Sequence, residues 1–386
     1  MTRSRWLRVL VPGSVLSLVG LGLVALLTGG PRGGATLREP AIPAAGATPS
    51  ELDELLPQLQ DFVEEARGLE LKRPVHLQVL EEDAFRRRIQ ILTRDSLVEG
   101  NRRLRFLKAF GLVPPGTDLV QSQRDANRGI VGIYDFGSNR LVVLGAELTP
   151  HVRSVIVHEL THAVQDQHFD LARGRPRRGA AAQGWQGVIE GDARRVEQLY
   201  LDSLPPAERQ LADEERAVRS SGTANRPAAV SSFVAFPYQF GAQFTASLVE
   251  REGQEALDAA FAAPPRTAEQ LMHPDAFLAG EAGVQVPEPE AAGRVVLADT
   301  LGEFGLRVLL GEGVAADGVA RAAEGWGGDR YVIWADGARN CARLHVVMDT
   351  PADAEELIAA LQTWAAGPGQ GATVEGLDPI VLTSCR

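Results

Sequence analysis

The fold is decided by the stretch Val155-Ile156-Val157-His158-Glu159-Leu160-Thr161-His162-Ala163-Val164, which contains two histidines four residues apart with a glutamate directly after the first. On an α-helix, positions i and i+4 lie about 40° apart and one turn along the axis, so both imidazoles can reach one metal ion. Neutral histidine nitrogen suits Zn²⁺. The intervening glutamate can then contact a water molecule that the metal acidifies.

The residues around this motif predict a buried helix. Thr149 is a good N-cap and Pro150 fits the first helical position, so we expect the helix to start there. Burying a polar group without a partner costs roughly several kcal/mol of folding free energy. Two histidines and a glutamate on a buried helix are therefore expected to have a binding partner. We therefore predict a metal site. The apolar residues that bury the helix are Val152, Val155, Ile156, Val157, Leu160, Ala163 and Val164.

A protease-type zinc ion needs a third protein ligand, and the sequence offers two candidates. His168 lies six residues after His162, which is the metzincin spacing, but that arrangement needs a helix-breaking glycine where this chain has Gln165. Glu190 lies in Val188-Ile189-Glu190-Gly191-Asp192-Ala193, on the next helical segment. It would complete a His₂Glu set, a known catalytic combination. We favour Glu190 and keep His168 as the alternative third ligand.

The chain resembles a family of largely uncharacterised bacterial gluzincin-like zinc metallopeptidases, over residues 70 to 335. The resemblance implies an α+β, zincin-like fold, with a small mixed β-sheet, an active-site helix and a mostly helical C-terminal lobe. It also implies one Zn²⁺ per chain, bound by His158, His162 and Glu190. The segments that carry it are Gly132–Asp135, Leu141–Val143, His158–Leu171, Phe236-Pro237-Tyr238, Leu271-Met272-His273-Pro274 and Gly325–Arg330.

One position departs from the thermolysin-type pattern. Four residues after Glu190, where an aspartate supports a histidine ligand in that pattern, this chain has Arg194. Asp192 and Asp166 are the candidates to take over that support.

Catalysis in this class also needs a group that stabilises the oxyanion formed on the scissile carbonyl, and a histidine or a tyrosine serves there. His273, Tyr238 and Tyr331 are the candidates. The alternative for each is a role in packing or capping.

A β-hairpin is predicted before the motif. Residues 130–134 and 140–144 are apolar runs that flank the glycine-containing segment 135–139. In zincins a sheet lies over the active-site helix, and its edge strand aligns the substrate. An exposed edge can bind an extended peptide by strand addition, so a peptide or protein substrate is the expected partner.

Composition narrows the class of partner further. A length of 386 residues allows one large or two ordinary domains, and 45% hydrophobic with 23% charged residues is ordinary for a globular protein. The net charge of −11 argues against a nucleic-acid partner, which requires a basic patch.

The N-terminus is predicted to be a targeting segment. Arg3, Arg5 and Arg8 precede an uncharged run over residues 9–28, long enough for one membrane span. Residues 1–30 are therefore predicted to be a signal peptide or a single N-terminal transmembrane anchor with the N-terminus inside. The rest would be extracytoplasmic, either membrane-anchored or secreted. Residues 31–50, rich in proline, glycine and alanine, are predicted to form a linker.

The remaining chain, residues 51–386, is predicted to form the zincin-like metallopeptidase domain. We expect an N-terminal α/β lobe over about 51–170, a helical lobe over about 183–310 and a C-terminal α/β segment over about 311–386. Cys341 and Cys385 are the only cysteines. In an exported protein two cysteines usually pair, and this pair would attach the C-terminal tail.

These observations predict an exported zinc-dependent peptidase in which Glu159 is the general base. The alternative is a catalytically inactive zinc-binding scaffold, or a membrane-tethered binding module of the cell envelope, with the same ligands. A third possibility, an envelope protein with an accidental motif, predicts that no zinc binds.

Overall fold

The computed structural model describes residues 49–93, 96–145, 147–171, 179–220, 226–337 and 339–386. Within these ranges the chain is a mixed α+β protein, as predicted. The helices are α1 (Pro49–Arg67), α2 (Glu82–Leu92), α3 (Ser96–Ala109), α4 (Leu119–Gly129), α5 (Pro150–Phe169), α6 (Gly179–Ser203), α7 (Pro206–Ser220), α8 (Ala228–Glu252), α9 (Gln254–Ala262), α10 (Ala268–Met272), α11 (Pro274–Ala279), α12 (Gly302–Leu310), α13 (Ala316–Ala323) and α14 (Pro351–Ala366). The strands are β1 (His76–Leu80), β2 (Gly132–Asp135), β3 (Arg140–Leu144), β4 (Val295–Asp299), β5 (Trp326–Asp336), β6 (Arg339–Met348), β7 (Thr373–Glu375) and β8 (Ile380–Cys385).

The first sheet is small and mixed. Its strand order is β1-β3-β2, with β1 parallel and β2 antiparallel to β3. The predicted hairpin is present as β2 and β3, in a register that pairs Ile133 with Val142 and Asp135 with Arg140. Among the described strands β2 pairs only with β3, and on its other edge the backbone N–H of Tyr134 donates to Glu159 of α5.

Helix α5 begins and is buried as its sequence predicts. The Thr149 hydroxyl accepts a hydrogen bond from the backbone N–H of Val152 at 3.2 Å, and Pro150 occupies the first helical position. The helix continues without a break through Gln165 to Phe169. It contacts β2, α1, α6 and α7, so almost every side of it is covered. Its apolar residues join those of the first sheet in one core, which includes Tyr134, Leu141, Val143, Ile156, Val157, Leu160 and Val164.

Helices α6 and α8 pack so closely that their backbones touch. A Cβ atom on Gly191 would lie 2.1 Å from the carbonyl carbon of Gly241, and one on Gly241 would lie 2.1 Å from the backbone oxygen of Gly187. Only glycine fits at such a contact. Glu190 lies next to Gly191 on α6, and Tyr238 lies about one helical turn before Gly241 on α8. Their side chains interact across this contact.

The second sheet is antiparallel, in the order β4-β5-β6-β8-β7. One of its faces joins α3, α12 and α14 in a core that continues into α6 and α8. Cys341 and Cys385 are register partners on β6 and β8 and form a disulfide bond. The predicted cysteine pairing is therefore confirmed, and it fastens the last strand to the middle of the sheet.

The predicted membrane-anchored localisation is corrected. Across the ranges that the structure describes, no helix combines the length and the apolar composition that crossing a membrane requires. This finding contradicts the single-pass localisation, which we do not retain. The segments for which a signal or anchor was predicted, residues 1–30, and most of the predicted linker lie outside the described residues.

Candidate metal centre

The structure brings His158, His162 and Glu190 together. One ligand atom from each lies within 4.8 Å of the others. Nε2 of His158 is 3.5 Å, and Nε2 of His162 is 3.6 Å, from the same oxygen, Oε2 of Glu190. The two imidazoles come from successive turns of α5, and their rings are nearly perpendicular, at 87°. Helix α6 packs against α5 and contributes the carboxylate.

These three side chains fit a zinc ion. All are buried, and Glu190 is 0% exposed. Among the described residues, Nε2 of His162 and the Glu190 oxygens form no hydrogen bond of normal geometry with each other, since Oε2 of Glu190 lies 3.5–3.6 Å from the two imidazoles. The phenol of Tyr238 also interacts with this carboxylate. A buried carboxylate with such long contacts is costly, and a bound cation lowers that cost. Two imidazole nitrogens and one carboxylate are a ligand set of catalytic zinc sites, which leave a further coordination position open.

The imidazole of His158 is supported by a residue that the sequence analysis missed. Oε2 of Glu197 lies 3.1 Å from Nδ1 of His158, and Nη1 of Arg194 donates to the same oxygen at 2.7 Å. Burial alone would raise the pKa of Glu197, but the Arg194 charge and the His158 hydrogen bond outweigh it and lower that pKa below its ordinary value. The role of the missing aspartate is therefore taken by the carboxylate of Glu197, and Arg194 holds that carboxylate in place.

The imidazole of His162 is supported through Gln165. Oε1 of Gln165 lies 2.9 Å from Nδ1 of His162. The Gln165 amide donates to the backbone oxygen of Ile189 at 3.1 Å and to Oδ2 of Asp192 at 3.0 Å. Of the two predicted supports, Asp192 therefore acts on His162 only through Gln165. Asp166 supports neither histidine, since its carboxylate accepts from the Tyr134 hydroxyl at 3.3 Å.

Glu159 is buried between α5 and the edge strand β2. Its Oε2 accepts a hydrogen bond from the backbone N–H of Tyr134 at 2.7 Å. A Cβ atom on Gly132 would lie 2.8 Å from Cγ1 of Val155, so glycine at this position lets β2 approach α5 closely. Burial raises the pKa of the Glu159 carboxyl, although the neighbouring histidine charges and the Tyr134 N–H lower it in part.

Tyr238 lies at the same centre. Burial raises the pKa of Tyr238 well above its ordinary value, and the nearby charges of Glu190 and Glu159 raise it further. This phenol belongs to α8, which the glycine contact holds against α6.

The other predicted site residues make local contacts of their own. Nε2 of His168 donates to the backbone oxygen of Glu70 at 2.8 Å, so His168 is not part of the ligand cluster. Nε2 of His273 is 2.9 Å from Oε2 of Glu303 on α12, and His273 is not one of the clustered ligand residues. The ring of Tyr331 packs against Phe106, with centroids 5.1 Å apart. The oxyanion role that the resemblance suggests for His273 stays a prediction.

Comparison with known proteins identifies one family model. A domain of unknown function (DUF8575) matches residues 292–380, which run from just before β4 to the first residue of β8. No curated protein matches the chain. No solved structure matches it either. The match covers β4 to β7 of the second sheet and lies outside α5 and α6, which carry the candidate metal ligands.

Proposed function

We propose that this chain is a zinc-dependent peptidase, with one Zn²⁺ held by His158, His162 and Glu190. The observation that carries the proposal is the convergence of three buried ligand atoms, from two histidines and one glutamate, within 4.8 Å of one another. Zinc in such a site supplies Lewis acidity, which polarises a carbonyl oxygen and acidifies water.

Glu159 is the proposed general base. The N–H of Tyr134 holds one oxygen of its carboxylate, which fixes the side chain and leaves Oε1 to accept a proton from water. A base is most effective when its pKa is near the working pH, and burial moves the pKa of Glu159 in that direction. The same carboxyl group then delivers the proton to the leaving amine.

Tyr238 is the proposed oxyanion donor. A group in that role must keep its proton in order to donate a hydrogen bond to the developing negative charge. Burial raises the pKa of Tyr238, which favours the protonated phenol that this role requires.

The edge of β2 is the proposed substrate-aligning surface, which makes the arrangement zincin-like. The edge runs directly beside Glu159, since Tyr134 donates to that side chain. An extended peptide could add to this edge by backbone hydrogen bonds, and such binding does not depend on the peptide sequence.

The test is hydrolysis of a mixture of unstructured peptides by the zinc-loaded full chain and by its Glu159→Gln variant. We expect the wild type to cleave peptide bonds and the variant to retain zinc while its turnover falls about 10²- to 10⁴-fold. Equal turnover in both would contradict the mechanism. Zinc binding without hydrolysis of any peptide would instead favour the catalytically inactive scaffold.

A further inference from the structure

A charged side chain is fully buried at the end of α1. The Arg67 guanidinium is 0% exposed, and it donates from Nε to Oδ2 of Asp192 at 2.6 Å and from Nη2 to Oδ1 of Asp258 at 2.7 Å. The rings of Phe169 and Phe261 lie against it, 5.9 and 5.7 Å from the guanidinium carbon. Buried ion pairs are often no more stabilising than apolar residues of the same volume, so stability alone does not account for this one.

Asp192 can only accept hydrogen bonds in this environment. Its Oδ2 accepts from Arg67 and from Gln165, and its Oδ1 accepts from Nη2 of Arg195 at 3.0 Å. An arginine has donors and no acceptor. Because both arginines can only donate, both Asp192 oxygens serve as hydrogen-bond acceptors, and one of them accepts from Gln165.

The acceptor character of Asp192 helps to determine the orientation of the Gln165 amide. The two hydrogens of Nε2 go to Asp192 and to the backbone oxygen of Ile189, and both of these groups are acceptors. A reversed amide would place Oε1 against two other oxygens inside the protein. Gln165 must therefore turn its own oxygen towards His162, at 2.9 Å from Nδ1.

We propose that Arg67 and Asp192 are positioning residues that, through Gln165, select the tautomer of His162 that can bind a metal. A nitrogen that faces an acceptor carries the proton, and a neutral imidazole has only one N–H. Nδ1 of His162 therefore holds the proton, and Nε2 keeps its lone pair in the ligand cluster. The proposal rests on the zinc site proposed above.

The second histidine has a separate support. Nδ1 of His158 faces Glu197, which Arg194 holds, and this chain of contacts shares no residue with the one from Arg67 to His162. The proposal therefore predicts an effect confined to one ligand. A change at Asp192 should alter the tautomer of His162 and leave His158 as it is.

The test compares the full chain with its Asp192→Asn variant by ¹⁵N NMR of labelled histidines, without metal, and by competition for zinc with a chelator. Asparagine replaces one acceptor oxygen with an N–H₂ donor, which weakens the preference of the Gln165 amide for its wild-type orientation, while the backbone oxygen of Ile189 still favours it. We expect His162 to be protonated at Nδ1 in the wild type and to gain the Nε2-protonated form in the variant. The zinc affinity of the variant should fall about 10- to 100-fold.

Asp258→Asn is the matched control. It removes the other carboxylate that Arg67 contacts and does not touch Gln165. We expect a lower unfolding midpoint in this variant, with the tautomer of His162 and the zinc affinity unchanged. Gln165→Met is the second test variant, which decides the matter if Asp192→Asn does not fold. It keeps the Arg67–Asp192 pair and removes the acceptor for His162, so its zinc affinity should fall by a similar factor.

The outcomes separate this proposal from the function on which it rests. A wild type that binds no zinc contradicts the proposed function, while the tautomer of His162 still tests the inference. A wild type that binds zinc, with unchanged affinity and an unchanged His162 tautomer in Asp192→Asn or Gln165→Met, overturns the inference alone.

Discussion

The carboxylate of Glu197 lies 3.1 Å from Nδ1 of His158, so it is the group that orients this imidazole within the ligand cluster. Glu197 follows Glu190 by seven residues, which is about two turns of α6, so one face of one helix supplies both a candidate ligand and the support for another. Such outer contacts fix the ring and raise its basicity as a ligand.

Glu197→Gln should therefore weaken zinc binding. The glutamine retains the size of the side chain but loses the charge that pairs with Arg194 and His158. We expect about a 10-fold lower zinc affinity, measured by competition with a chelator. Glu208→Gln, which changes a partly exposed carboxylate paired with Arg153, is the matched control and should bind zinc like the wild type. Equal affinities in the two variants would remove the proposed role of Glu197.

Tyr238→Phe should lower turnover without loss of metal. Removal of one oxyanion donor reduces kcat by about 10²- to 10³-fold in a well-studied protease, and we expect an effect of that order here. The zinc content and KM should change little. Tyr331→Phe is the control, since the Tyr331 ring packs against Phe106 instead of the ligand cluster. A kcat that falls equally in both variants would argue that Tyr238 acts only through packing.

Gly241→Ala should displace Tyr238 from the candidate metal centre although Gly241 itself is not part of that centre. The added Cβ would lie 2.1 Å from the backbone oxygen of Gly187, so α8 must move away from α6 and carry Tyr238 with it. We expect destabilisation by about 1–3 kcal/mol or more, measured by urea unfolding, together with a loss of kcat. Gly116→Ala places its Cβ in open space and should be neutral. A Gly241→Ala variant of full stability and activity would contradict the close contact.

His273 should contribute to stability in a pH-dependent way and have no part in metal binding. The hydrogen bond with Glu303 raises the pKa of His273 above its ordinary value of 6.5, although burial opposes this shift. Because the folded pKa is the higher one, the stabilisation is fully present below about pH 6.5 and is lost as the pH rises through the folded pKa.

The check is urea unfolding of the wild type and of His273→Asn at pH 5.5 and at high pH. The free energies of unfolding should differ most at pH 5.5 and converge as the pH rises. The zinc content of the variant should equal that of the wild type. A difference that stays constant with pH, or a variant that loses zinc, would contradict this assignment.

Local sequence signals predicted those features of the fold and of the metal centre that are determined within a single segment of the chain. The cap at Thr149 and the apolar residues around His158 predicted α5, and two apolar runs flanking a glycine-containing segment predicted the hairpin of β2 and β3. The position of Glu190 on the next helix predicted it as the third ligand. The pairing of Cys341 with Cys385 followed from the absence of any other cysteine.

The remaining contacts depend on how helices rotate against one another, which the local sequence does not specify. The sequence around Gln165 indicates only that α5 continues, yet the Gln165 amide contacts Ile189 and Asp192 on another helix. Glu197 shares the face of α6 that carries Glu190, and the spacing of seven residues could have suggested it. The place of His273 depends on Glu303, thirty residues further along the chain.

The most direct test of the central claim is the zinc content of the purified full chain, measured by elemental analysis for the wild type, Glu190→Ala and His168→Ala. The account predicts one zinc per chain in the wild type, lost in Glu190→Ala and retained in His168→Ala, because His168 is bound to the backbone of Glu70. Zinc retained in Glu190→Ala but lost in His168→Ala, or no zinc in the wild type after zinc is supplied, would contradict it.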